Sequence, residues 1–284
     1  MTITASILAD SVAAGHRLTT MRLRYPRFIH AEELTHRVLS TGAEIVVPDG
    51  FMYDQDLSRN ASSSRAIPVS RQIQDVLDDT AMPIHWGKNQ PGMQAREEHD
   101  APIHMENLAL TPQDAWMASC YAAIEVAKAF NAAGYHKQIV NRLLEPFSHI
   151  NVVVTATRWE NFFALRLHPD AQPEIHELAK QMRAAMDAST PDELRHGQWH
   201  MPYMPMKDRI GHTVQEQIQV SAARCARTSY QTHDGKDTEF DADLGLAVGL
   251  WTSGHFSPFE HQATPSEGGF ANLDGWCSAR HYQE

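Results

Sequence analysis

Apolar residues in this chain keep two periods, and the switches between them mark out the elements. In RLTTMRLR (17–24) apolar and polar positions nearly alternate, which predicts a strand. It leads through Tyr25-Pro26 into a helix over RFIHAEELTHRVLS (27–40), where Pro26 suits the first turn because its missing N–H is not needed there. The pattern breaks over TGAEIVVPDGFMYDQDL (41–57), whose Pro-Asp-Gly turn reads as an inserted loop or short hairpin. Helical spacing returns with Ile73, Val76 and Leu77, predicting a helix over 67–80, and is lost again over 81–110. Thr111-Pro112-Gln113-Asp114 then offers an N-cap, a proline at the first helical position and an acid in the first turn.

The alanine-rich run to Ala133 predicts a long helix, and HKQIVNRLLEPF (136–147) another. NVVVTA (151–156) reads as a strand or a buried apolar turn. PEIHELAKQMRAAMDA (173–188) is helical by its Ile175, Leu178 and Met182 spacing. A stretch over 189–213 with three prolines reads as a linker. The last quarter carries SAARCARTSY (221–230), a helix over about 240–252, and GHFSPFEH (254–261). No internal repeat or low-complexity tract is present.

Composition narrows the function. At 284 residues and 42% hydrophobic, the chain can bury a core as one large domain or two small ones. No apolar run is long enough for a bilayer, and the N-terminus lacks the basic and apolar blocks of a signal peptide. Cys120, Cys225 and Cys277 show no metal-ligand spacing and cannot all pair, so a reduced, cytoplasmic setting is expected. His99, His104 and the other histidines show no metal-site pattern, and no metal is expected. A net charge of -11 argues against binding a nucleic-acid polymer. Arginines nevertheless outnumber lysines roughly three to one, a bias suited to a small anionic ligand.

The segment SRNASSSRA (58–66) is the strongest candidate for that ligand. Its hydroxyls, backbone N–H groups and arginine forks suit a phosphate cradle, although a polar surface loop would have the same composition. Read together with ELTHRVLS (33–40), NRLLEP (141–146), RWENFFALRLHPDAQPEI (158–175), SAARCARTSY and GHFSPFEH, it resembles the flavin-dependent thymidylate synthases. Their signature is Arg-His-Arg-x-x-Ser followed by Asn-x-x-Ser-x-Arg, with a later Leu-Arg…Ala-Gln-x-Glu-Ile helix and a Gly-His-x-Ser/Thr-Pro-Phe-Glu-His segment. In most family members the Ala-Ala-Arg…Ser-Tyr and Ser-Pro-Phe-Glu-His segments come first; here they come last, as a circular permutation would place them. Thr35, Glu32, Ala61, Ala66 and Asp170 depart from the family pattern.

The resemblance implies a single domain over 1–284 of the α+β class, a twisted, mostly antiparallel sheet flanked by helices, assembled as a homotetramer with shared active sites. It implies methylation of deoxyuridylate at C5, with 5,10-methylenetetrahydrofolate giving the carbon and FAD carrying hydride from NADPH. Arg166 would lie against the pyrimidine ring as the activating cation, with Gln172 and Asn161 flanking it. Asn60, Ser63, Ser64, Arg65 and Arg142 would hold the nucleotide, Ser63 also acting in catalysis. His36, Arg37, Thr155, Arg158 and Asn161 would contact the flavin, as would Ser229, His255, Ser257 and Glu260. Two alternatives stand beside this: methylation or hydroxymethylation of deoxycytidylate or another pyrimidine nucleotide, with Glu32 near the base, and a non-catalytic nucleotide-binding protein.

Overall fold

A computed structural model of the protein describes residues 2–34, 57–105, 108–228, 238–267 and 272–283. The chain opens with strands β1 (Thr4–Ala13) and β2 (His16–Pro26), joined at Ala14-Gly15, where both residues have positive φ. A 3-10 turn (Arg27–Ile29) and α1 (His30–Leu34) follow. After the undescribed segment come β3 (Leu57–Ala61), α2 (Val69–Asp78), the hairpin β4 (Ile103–Met105) and β5 (Leu108–Leu110), and α3 (Pro112–Ala132). Next are α4 (Lys137–Val140), a 3-10 segment (Asn141–Phe147), β6 (His149–Ala156), α5 (Glu160–Arg166) and α6 (Pro173–Asp187). β7 (Asp192–Glu193), α7 (Val214–Arg227), α8 (Phe240–Thr252), a 3-10 turn (Ser257–Glu260), β8 (Ala263–Pro265), β9 (Trp276–Ser278) and α9 (Ala279–Gln283) complete the fold.

The main sheet has the order β3-β6-β2-β1-β7 and is antiparallel except at the β1–β7 edge. Its two faces differ, as the period of two requires. On one face Met21, Leu23 and Tyr25 of β2 lie opposite Val154, Val152 and Ile150 of β6. These side chains pack under Phe162 and Phe163 of α5 and Ile175, Leu178 and Met182 of α6, forming the largest core. The opposite face carries Thr20 paired with Thr155, and polar side chains from the last third of the chain close over it.

Three expectations change. Pro26 ends β2 rather than starting α1. SRNA of the serine-rich segment is not loop but strand β3, in register with β6. The helix expected over 136–147 tightens to 3-10 at Asn141, ahead of Pro146, whose ring would clash with the carbonyl of Arg142 in a continued α-helix. The insertion at 41–57 lies outside the described residues apart from Leu57.

Candidate active site

Arg166 is the last residue of α5, and α5 is fixed by Phe162 and Phe163 in the core beneath it. Its side chain faces a cleft of about 1220 Å³ that Glu32, Phe28 and Gln172 also line. Arg166 Nε is shielded from solvent and has no hydrogen-bond partner among the described residues. Partial burial lowers the guanidinium pKa from its ordinary range, and the Glu32 carboxylate pulls the other way.

The far wall of the cleft is the stretch 83–96, which the lack of periodicity left unassigned. It doubles back on itself, with Lys88 N–H donating to Glu97 O and His99 N–H to Trp86 O, both at 2.7 Å. Trp86 meets Trp116 of α3 edge-on at 6.2 Å. Arg96 reaches across to Asp170, Nη2 at 2.8 Å and Nε at 3.0 Å from the same carboxylate oxygen. The Asp170 that departs from the family pattern therefore has a cationic partner on this wall.

Gln172 has a second task. Its side-chain oxygen accepts from Ile175 N–H at 3.0 Å and caps α6, and its amide nitrogen donates to Glu174. Glu174, itself buried, accepts from Ile84 N–H at 2.8 Å and ties α6 to the 83–96 wall.

The serine-rich turn forms a separate cluster. Its carbonyls are held from one side: Ser62 O accepts from Arg27 Nη2, Ser64 O and Ile67 O from Asn141 Nδ2, and Ala66 O from Lys137 Nζ. The amides of Ser63, Ser64 and Arg65 have no partner among the described residues. Such a run of free N–H groups, carbonyls turned away, is the geometry of an anion-binding turn. Ser64 Oγ donates to Glu145 Oε1 at 2.7 Å, and exposed Arg142 pairs with the same carboxylate at 3.2 Å. Asn60, buried on β3 opposite Val153, has an unpartnered Oδ1 among the described residues. None of these residues lines the Arg166 cleft.

The expected flavin contacts divide. His36, Arg37 and Ser229 lie outside the described residues. His255 and Ser257 are exposed around the 3-10 turn, of which Ser257 is the first residue. Arg158 is one-third exposed and pairs with Asp274 at 2.8 Å. Glu260 pairs with Arg280, whose guanidinium sits over the Phe256 ring. Asn161 is half-buried near the start of α5. The donor chemistry at His255, Ser257 and Arg158 fits the diphosphate of a dinucleotide. That of Thr155 does not, because its fully buried hydroxyl is enclosed between Thr20 Oγ1 at 2.7 Å and His261 Nδ1 at 2.8 Å.

Sequence reasoning passed over Arg27, Glu145, Arg96 and His261. Glu145 stands three residues beyond Arg142, the helical spacing of an ion pair, and that was the available signal. Arg27 and Arg96 reach their partners only through the tertiary fold.

A family model described as thymidylate synthase complementing protein matches residues 11–192. The chain matches no curated protein sequence. Among solved structures it is similar to the UMP/dUMP methylase PolB from Streptomyces cacaoi bound with 5-Br dUMP, at 18% identity and a TM-score of 0.41, covering 65% of this chain and 90% of that one. The same methylase bound with 5-Br UMP gives 16% identity and a TM-score of 0.42, covering 65% and 88%.

Proposed function

Because the chain belongs to the thymidylate synthase complementing protein family, we propose that it methylates a pyrimidine nucleoside monophosphate at C5, deoxyuridylate first. The observation that carries this reading is Arg166, a cation held in a cleft with a solvent-shielded Nε that has no partner among the described residues. Forming a carbon–carbon bond at C5 requires electron density to rise on the ring, and negative charge then builds on the carbonyl and N3 edge. A fixed guanidinium stabilises that charge without reorganising, an effect on the order of 3–4 kcal/mol per donor.

The cysteines support activation without a thiolate. Cys120 and Cys225 are buried, burial pushes all three thiols up, and none of the three lines the cleft. In this reading FAD, reduced by NADPH, supplies hydride, and 5,10-methylenetetrahydrofolate supplies the carbon. His255, Ser257 and Arg158 would hold the flavin's diphosphate, and the amides of Ser63–Arg65 the nucleotide phosphate. Among the described residues the cradle does not line the Arg166 cleft, which is what a site shared between subunits of a homotetramer would require in this reading.

Glu32 favours a second reading. A carboxylate in the same cleft as Arg166 can accept from an exocyclic amino group, which would make deoxycytidylate the substrate. The deciding experiment is an anaerobic incubation of the protein with FAD, NADPH, methylenetetrahydrofolate and either deoxyuridylate or deoxycytidylate, with product mass as readout. Thymidylate from deoxyuridylate is the expected result. Modified cytidylate alone would transfer the proposal to the second reading, and no product from either would leave a non-catalytic nucleotide-binding protein.

A further inference from the structure

Glu145 sits where more donors converge than one carboxylate needs. Its Oε1 accepts from Ser64 Oγ at 2.7 Å, both its oxygens lie 3.2 Å from Arg142 Nη1, and Arg27 Nη1 stands 3.8 Å away. Arg27 is anchored from its other side by Ser62 O at 3.1 Å. The adjoining turn adds the amides of Ser63, Ser64 and Arg65, which have no partner among the described residues. A structural ion pair requires one guanidinium. Two guanidiniums, a hydroxyl and a run of free amides match the several oxygens and double charge of a phosphate monoester.

We propose that Glu145 is a built-in stand-in for the substrate's phosphate. It keeps Arg27, Arg142 and Ser64 assembled in the empty site and gives way when a phosphate monoester arrives. The inference rests on the reading of 62–65 as the phosphate cradle. The backbone at Glu145 is fixed, since buried Leu144 and Phe147 flank it in the same 3-10 segment. Its side chain is 22% exposed, so rotation about its own bonds is enough to free the site. The device also sets selectivity. A ligand must offer more charge and more acceptors than a carboxylate to displace it, which admits a nucleoside monophosphate and rejects the bare nucleoside.

Calorimetric titration of the full-length protein tests this, with inorganic phosphate, deoxyuridylate and deoxyuridine as probes. Glu145→Gln should bind phosphate and deoxyuridylate on the order of tenfold more tightly than the unmodified protein, because the competing charge is gone. Deoxyuridine affinity should not change. Equal or weaker phosphate binding by Glu145→Gln would overturn the stand-in role and make Glu145 a spacer between the arginines. Tighter phosphate binding with no deoxyuridylate binding in either protein would overturn the nucleotide reading while the stand-in role survives. Should the Gln variant fold poorly by circular dichroism, Glu145→Asp, whose shorter carboxylate falls away from Ser64, must move phosphate affinity in the same direction.

Discussion

At the scale of single residues, the candidate site depends on which side chains are already committed within the fold. Gln172, expected at the substrate, gives its amide to the α6 cap and to Glu174. Thr155, expected at the flavin, gives its hydroxyl to an internal chain. Arg166 keeps Nε uncommitted among the described residues, and that difference makes it the residue to change. Arg166→Ala should lower turnover by on the order of a hundred- to a thousandfold, the scale for losing one preorganised charge donor. Its far-UV circular dichroism and bound flavin should match the unmodified protein. A variant that loses its fold instead would make Arg166 a packing residue.

At the scale of elements, Gly87 controls the wall of the cleft. A Cβ there would stand 2.3 Å from the Cβ of Ala95, inside the doubled-back stretch, so any side chain pries the two arms apart. Gly87→Ala should therefore raise substrate KM several-fold while kcat and melting temperature change little. An unaltered KM would separate this wall from substrate binding. How much of the fold could be read from the sequence follows from how each element buries its residues. α3 announced itself through its Thr111 cap and α6 through its apolar spacing; the structure places Thr111 at the α3 N-cap and adds Gln172 at that of α6. β3 did not, because it buries polar residues: Ser58 accepts from Asn272 Nδ2 at 2.7 Å, and Asn60 lies buried beside β6. Such a strand is specified by its partners and leaves no apolar alternation to detect. The cleft was equally hidden, because its wall is held by Arg96–Asp170 and Trp86–Trp116, pairs remote in sequence.

At the scale of the molecule, one buried polar chain fastens the last third of the sequence to the sheet. It runs from Ser11 Oγ through His200 and the hydroxyls of Thr20 and Thr155 to His261. Burial lowers the pKa of His200 and of His261 from 6.5 to about 3. Between those values the unfolded chain binds protons that the folded one does not, so stability is complete above pH 6.5 and lost as the pH falls toward 3. Thermal melts across that range should show a falling midpoint. Replacing His261 with Gln should flatten the dependence, and an unchanged slope would remove His261 from its cause.

The packing around Leu18 has a kinetic side. Leu18, near the start of β2, shares a core cluster with Ala263 and Trp276 from near the other end of the chain. This is the seam that the proposed permutation would create, for in the family's usual order the two sides would be joined directly. Here Ala263 leaves the ribosome 245 positions after Leu18, a wait of about 12 to 50 s at common synthesis rates. Through that interval β2 keeps an apolar side chain that only Ala13 and, later, Leu194 help to cover, and closing so long a loop slows folding further. Moving one peptide bond would leave the finished contacts as they are and change the time for which the nascent chain must be protected from aggregation.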